Sequence, residues 1–149
     1  MTNPAIIQLQ SDQVDAFRSL ITIFHDVFAH TTAVPDDAYL RDLLANPDFM
    51  VFVVSDGHQV LGGLTVFVLH GYYGLKPLAY IYDVGITPAA QGKGYGSMLM
   101  QAVCEHCKAN GFESAYVEAE ADDNEAIAFY RKTAPGSEMP ALHFNYPLD

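Results

Sequence analysis

The sequence predicts an α/β chain of the mixed α+β kind, and three observations carry that reading. Phe49–Val54 and Val60–His70 are apolar, β-branched runs joined by a turn bearing Asp56-Gly57, the signal of an antiparallel hairpin. Val14, Phe17, Leu20, Ile21, Phe24, Val27 and Phe28 recur at the spacing of one helix face. Leu78 to Val103 then reads as strand, glycine-rich turn and amphipathic helix.

Taken in order, Ile6, Ile7 and Leu9 suggest a short first strand, and Ser11-Asp12 is placed to cap a helix over residues 13–29. Its apolar stripe is read as core. A loop ends in Pro35, Asp36 caps a shorter helix through Tyr39, Leu40, Leu43 and Leu44, and Asn46-Pro47 stops it. The hairpin follows, then the loop Gly71-Tyr-Tyr-Gly74, whose Tyr72 and Tyr73 are candidates either to line a substrate cleft or to pack. Leu78–Ile86 is the strand before the glycine turn, and Gly85 within it marks a bulge or a close backbone approach. A helix over 95–109 stops at Asn110-Gly111, and Ser114–Glu120 alternates as a strand with Glu118 and Glu120 on one face. Asp122-Asp123-Asn124 opens a helix containing Ile127, Phe129 and Tyr130, and Leu142–Tyr146 is read as a closing strand.

Length and composition set bounds. A chain of 149 residues with 50% hydrophobic content is read as one globular domain, 1–149. The start Met1-Thr-Asn-Pro-Ala lacks the positive stretch of a secretion signal, and no apolar run approaches the ~20 residues that span a bilayer, so a cytoplasmic protein is expected. Eighteen acidic against seven basic residues, a formal charge of −11, argue against a nucleic-acid partner. The same charge suits cationic small molecules, although acidic surfaces also serve solubility. Cys104 and Cys107 form C-x-x-C in the body of a helix without a second ligand pair, so two reduced thiols and no metal are expected.

Gly92, Gly94 and Gly96 let the backbone curl close to a ligand, and the helix after them offers unpaired N–H groups and a positive dipole end, which together suit phosphate. The spacing matches neither a dinucleotide fingerprint, since Ser97 and Leu99 stand where the third glycine belongs, nor a P-loop, since Lys93 precedes Gly94. Gln91-x-x-Gly94-x-Gly96 resembles the acetyl-CoA pyrophosphate loop of the GNAT N-acetyltransferases, Gln/Arg-x-x-Gly-x-Gly/Ala. Asn124-Glu-Ala-Ile-Ala-Phe-Tyr-Arg-Lys132 resembles that family's Asn-x-x-Ala-x-x-Phe/Leu-Tyr-x-Lys segment, but Thr133-Ala-Pro-Gly136 departs from its usual continuation. Tyr80-Ile-Tyr-Asp83, Tyr116-Val-Glu-Ala-Glu120, Asp123 and His143-Phe144 are most similar to the small aminoglycoside 3-N-acetyltransferases, the gentamicin-modifying type.

That resemblance implies a GNAT fold: a mixed, mostly antiparallel twisted sheet of about six to seven strands, flanked by about four helices, with splayed central strands holding acetyl-CoA. It implies acetyl-CoA contacts at Val84, Gly85 and Ile86 for the pantetheine arm, at Gln91, Gly92, Lys93, Gly94, Tyr95, Gly96 and Ser97 for the pyrophosphate, and at Asn124 and Tyr130. The implied activity is direct acetyl transfer to an aminoglycoside amine at the 3-position, conferring resistance, without a metal and with Cys104 dispensable.

An arriving ammonium must lose a proton before it attacks a thioester, so a carboxylate base is expected. Glu120 stands first, then Asp123, then Asp83, and Tyr130 matches the family's general acid. Asp83, Glu118, Glu120 and Asp123, with Tyr72 and Tyr73, are the expected substrate contacts. The acid-rich stretch 111–125 holds Glu113, Glu118, Glu120, Asp122, Asp123 and Glu125 with no basic residue, as a polycationic substrate would need. A homodimer is the expected assembly if any. Rival readings are a GNAT acting on a polyamine or a peptide N-terminus, and a non-catalytic acyl-CoA sensor.

Overall fold

The computed structural model describes residues 3–149, and the chain's contacts divide it into two compact units, Met1–Glu118 and Ala119–Asp149. The first holds one five-stranded sheet in the order β1 (Ala5–Gln8), β2 (Phe49–Asp56), β3 (Gln59–Leu69), β4 (Leu78–Ile86) and β5 (Ser114–Val117). Strands β1 to β4 pair antiparallel, and β5 joins β4 in parallel, as its helical crossover requires. Three helices cover the sheet: α1 (Val14–Val27), α2 (Asp37–Ala45) and α3 (Tyr95–Ala109). Phe49 of β2 meets Phe17 of α1, whereas Phe52 meets His106 of α3. Because successive strand residues point to opposite faces, α1 and α3 lie on opposite sides of the sheet. The first six residues of β2 are buried without a break, the signature of a strand covered on both faces.

Two glycines set how near α1 lies. A Cβ on Gly63 would meet the Phe52 carbonyl oxygen at 2.4 Å and the Leu20 methyls at 3.0 Å, and one on Gly85 would meet the Phe24 ring at 3.0 Å. Their bare backbones let Leu20 and Phe24 pack directly on β3 and β4, and Leu20 is fully buried there.

The second unit is built on α4 (Asn124–Lys132), capped by Asp123, whose carboxylate accepts the Ala126 N–H at 3.1 Å. Arg131 grips Glu138 through two 3.0 Å hydrogen bonds. No helix among the described residues is long and apolar enough to cross a membrane.

Several expectations need correction. Among the described residues the sheet has five strands rather than six or seven, because residues 142–146 form no ladder: the alternating pattern is there, but a strand exists only against a neighbour. β5 stops at Val117, so Glu120 lies beyond the strand and alternation does not place it with Glu118. Ser11-Asp12 does not cap α1; Gln13 stands at the N-cap and its side-chain oxygen accepts the Gln10 N–H at 2.7 Å. Asp36 does cap α2, accepting the Tyr39 N–H at 2.9 Å.

Candidate active site

β4 feeds a turn pinned at both ends. The Thr87 N–H donates to the Leu61 carbonyl at 2.8 Å, and the Gln91 side-chain amide donates to the Ile86 carbonyl at 2.9 Å. Pro88–Ala90 makes one 3-10 turn, then Gly92 and Gly94 take left-handed backbone at φ 79° and 86°, with Gly94 as N-cap of α3. An added Cβ would meet open space at either position, so backbone conformation rather than crowding requires glycine here. Gly96 is already helical. The first N–H after the turn to find an acceptor is that of Met98, on the Gly94 carbonyl at 3.1 Å. Among the described residues, the N–H groups of 92–97 donate to no protein acceptor, and Lys93 adds a cation, so the donor set fits a pyrophosphate.

The other end of β4 carries a row of rings. Beginning at α1, Phe17 touches Phe49 (centroids 6.0 Å apart), Phe49 touches Phe67 (5.2 Å), Phe67 touches Tyr82 (5.4 Å), Tyr82 touches Tyr80 (5.8 Å), and Tyr80 stacks on Tyr116 (4.8 Å, 10° between planes). Register explains it: Phe49 faces Phe67, Phe67 faces Tyr80, and Tyr80 faces Tyr116 across successive strands. The row climbs out of the core, for Phe17 and Phe49 are buried while Phe67, Tyr82 and Tyr116 are 38%, 56% and 40% exposed. The Tyr80 hydroxyl donates to Glu118 Oε1 at 2.7 Å, and that bond, reinforced by burial, pushes the phenol up to about 12.

Beside the row the sheet breaks pattern. Val66 pairs with Ile81 and Leu64 with Val84, so Tyr82 and Asp83 together oppose Thr65 in a bulge. The Asp83 N–H donates to Thr65 Oγ1 at 3.3 Å. Burial raises the Asp83 carboxyl above the usual carboxylate range, and the nearby His30 imidazole, beyond the end of α1, opposes that shift. The parallel ladder ends at Ile81 and Val117, and β4 runs on to Ile86 without β5 beside it. Val84, Gly85 and Ile86 thus lie on the stretch where β4 has one neighbour only, as splayed strands would.

The first unit therefore brings Asp83, Glu118 and the phosphate turn onto or next to β4. Tyr72 and Tyr73 stack on each other at 4.7 Å in their loop and are 87% and 96% exposed. In the second unit Glu120 is exposed, Asp123 caps α4, Asn124 opens that helix, and Tyr130 is half-buried with its ring 5.0 Å from Phe129. Neither Tyr80, Tyr82 and Tyr116 nor His30 is among the site residues expected from the sequence. The signal available was two tyrosines at i, i+2 on one strand and a third, followed by an acid, on the next.

The cysteines take no part in this site. Cys104 is exposed and Cys107 buried, both are free, and burial pushes both thiols up, Cys107 to about 11. Thiols held protonated in this way are poor nucleophiles at neutral pH.

The Acetyltransferase (GNAT) family pattern matches residues 14–134. An aminoglycoside acetyltransferase from an uncultured soil metagenomic sample, solved in complex with sisomicin and also with trehalose, is 37% identical, with a TM-score of 0.96 over 98% of this chain and 97% of its own. A second aminoglycoside acetyltransferase from such a sample is 26% identical, with a TM-score of 0.91 over 99% of each chain. A mycothiol acetyltransferase of Catenulispora acidiphila is 34% identical over 97 residues, 62% of this chain; the chain spans only 31% of that relative's length. The match to the family over most of the chain, its five-stranded mixed sheet and its glycine turn at the head of α3 agree, and the protein belongs to the GNAT acetyltransferase family.

Proposed function

We propose that the protein moves an acetyl group from acetyl-CoA to an amine of an aminoglycoside, at the 3-position, and confers resistance from the cytoplasm, with residues 1–149 working as one domain. The observation that carries this reading is the pairing on one strand of two opposite chemistries: β4 ends in an anion-binding turn and bears, at its bulge, a half-buried carboxylate of raised pKa. The first suits the cosubstrate's pyrophosphate, the second a cationic acceptor that must be deprotonated. The likeness to a relative that binds sisomicin supports the same acceptor class.

Acetyl-CoA supplies the activated acyl group as a thioester. The N–H groups of Gly92 to Ser97 and the Lys93 ammonium hold its pyrophosphate, and Gln91 fixes the turn. Val84, Gly85 and Ile86 offer backbone to its pantetheine arm, and Asn124 belongs to the same binding set. We assign the proton of the acceptor ammonium to Asp83, ahead of Glu120 and Asp123, the first two bases expected from the sequence. Asp83 is half-buried at the bulge with its carboxyl raised by burial, whereas Glu120 is exposed and the Asp123 carboxylate caps α4. Glu118, Glu120 and Asp123 draw the remaining ammonium groups, Tyr72 and Tyr73 border the acceptor, and the Tyr130 hydroxyl protonates the leaving thiolate.

The test is thiol release from acetyl-CoA with gentamicin, kanamycin, spermidine and a short peptide, the protein's own two thiols being subtracted as blank. Gentamicin should be turned over fastest, and NMR of the product should show the 3-amino group acetylated. Turnover of spermidine or the peptide in preference to either drug overturns the acceptor assignment. No turnover with any of the four despite acetyl-CoA binding overturns the activity.

A further inference from the structure

The row of rings is longer than the core requires. Burial accounts for Phe17 and Phe49, but Tyr82 and Tyr116 stand at the surface, held at ring contact with Tyr80, with Glu118 hydrogen-bonded to Tyr80 and Asp83 next to Tyr82 in the bulge. Exposed large aromatics fixed by their neighbours form a preorganised surface, since little freedom is left to lose when a ligand lands. That surface has two demands at once: an apolar face for the phenols and a cation for the carboxylates and ring quadrupoles. A linear polyamine meets only the second, whereas a saturated ring bearing ammonium groups meets both. Tyr80 has a further part, because its hydroxyl occupies one oxygen of Glu118 and sets the orientation of the carboxylate, leaving the other oxygen to a ligand.

We propose that Tyr82 and Tyr116 form an acceptor platform that selects amines borne on a sugar or cyclitol ring, and that Tyr80 is a positioning residue that holds Glu118 toward the ring's ammonium. The inference rests on the acetyltransferase reading above and names what that site prefers.

Calorimetric binding of gentamicin and of spermidine, without acetyl-CoA, tests it separately from catalysis. Tyr82→Leu and Tyr116→Leu should each weaken gentamicin about 3–10-fold, the value of one aromatic contact, and change spermidine less than twofold. Tyr82→Phe and Tyr116→Phe, which keep the ring, should restore gentamicin binding. Tyr80→Phe should weaken gentamicin as Glu118→Gln does, and the double variant should be little worse than either, because the two act as one unit. In steady state the leucine variants should raise the gentamicin KM and leave the acetyl-CoA KM unchanged. Leucine variants that bind gentamicin within twofold of the parent, or that lose spermidine equally, overturn the platform, as does a parent that binds no gentamicin. A parent that binds gentamicin with these variant effects but transfers no acetyl group upholds the platform and overturns the catalytic reading instead.

Discussion

Alanine at Gly63 is the sharpest test of how the sheet and α1 fit. Its Cβ would stand 2.4 Å from the Phe52 carbonyl oxygen and 3.0 Å from both Leu20 methyls, where about 3.5–4.0 Å is the ordinary separation of unbonded carbon atoms. Leu20 can turn aside only into a packed core, and the carbonyl belongs to the backbone of β2, so the strands must part by roughly 1 Å. Such overpacking costs about 1–3 kcal/mol. For a chain of 149 residues each kcal/mol lowers Tm by about 2–4 °C, so a fall of about 2–12 °C is expected. The chain has no tryptophan, which makes urea unfolding followed by far-UV circular dichroism the natural assay, with the slope m shared between variants. Gly71→Ala, where the added Cβ meets nothing, is the control. A Gly63→Ala loss below about 0.5 kcal/mol, or an equal loss for the control, would refute the packing argument.

Three further outcomes are expected. Asp83→Asn should lower kcat by about 10²–10⁴, the usual worth of an acid-base group, while raising stability at neutral pH. The sign follows from burial: the folded carboxyl holds its proton to higher pH than the unfolded one, so its contribution is present below about pH 4 and lost as pH rises through the folded value. A Tm scan from pH 3 to 8 should show the variant's advantage appearing only over that rise. Gly94→Ala forces a side chain into left-handed backbone at a cost of about 1–2 kcal/mol, and should raise the acetyl-CoA KM with the gentamicin Kd unchanged. Finally, Leu142, Phe144, Tyr146 and Leu148 alternate along the C-terminal stretch and are all exposed, which suits a homodimer. Light scattering should show a dimer for the parent and a monomer when Leu142, Phe144 and Tyr146 are changed to serine; a monomeric parent disproves the assembly.

What could be read from the residues alone was what depends on local chemistry. β4 and α3 start and stop where their apolar patterns do, Asp36 and Asp123 cap the helices they precede, and the glycine turn sits between its strand and helix as its spacing implies. The ring row was hidden because it exists only across strands: no segment holds more than two of its members, and the register of β2 to β5 lines them up. The setting of Asp83 was hidden by the bulge. Simple alternation puts Gly85 on the face opposite α1, since Tyr80 and Tyr82 take the other, yet Gly85 lies against Phe24. One extra residue at Tyr82 and Asp83 reverses the parity of the strand's end. The tail failed for the converse reason, a strand pattern without a neighbouring strand in its own ladder.

That bulge is also a removable addition to β4. Deleting Tyr82 or Asp83 would restore the regular ladder, leaving Val84 opposite Leu64 and Gly85 opposite Gly63 under Phe24, and would take from the site one of two neighbouring side chains. The extra residue therefore serves chemistry rather than architecture: it lets a ring and a carboxylate stand side by side opposite the single Thr65, where an unbroken strand has room for one.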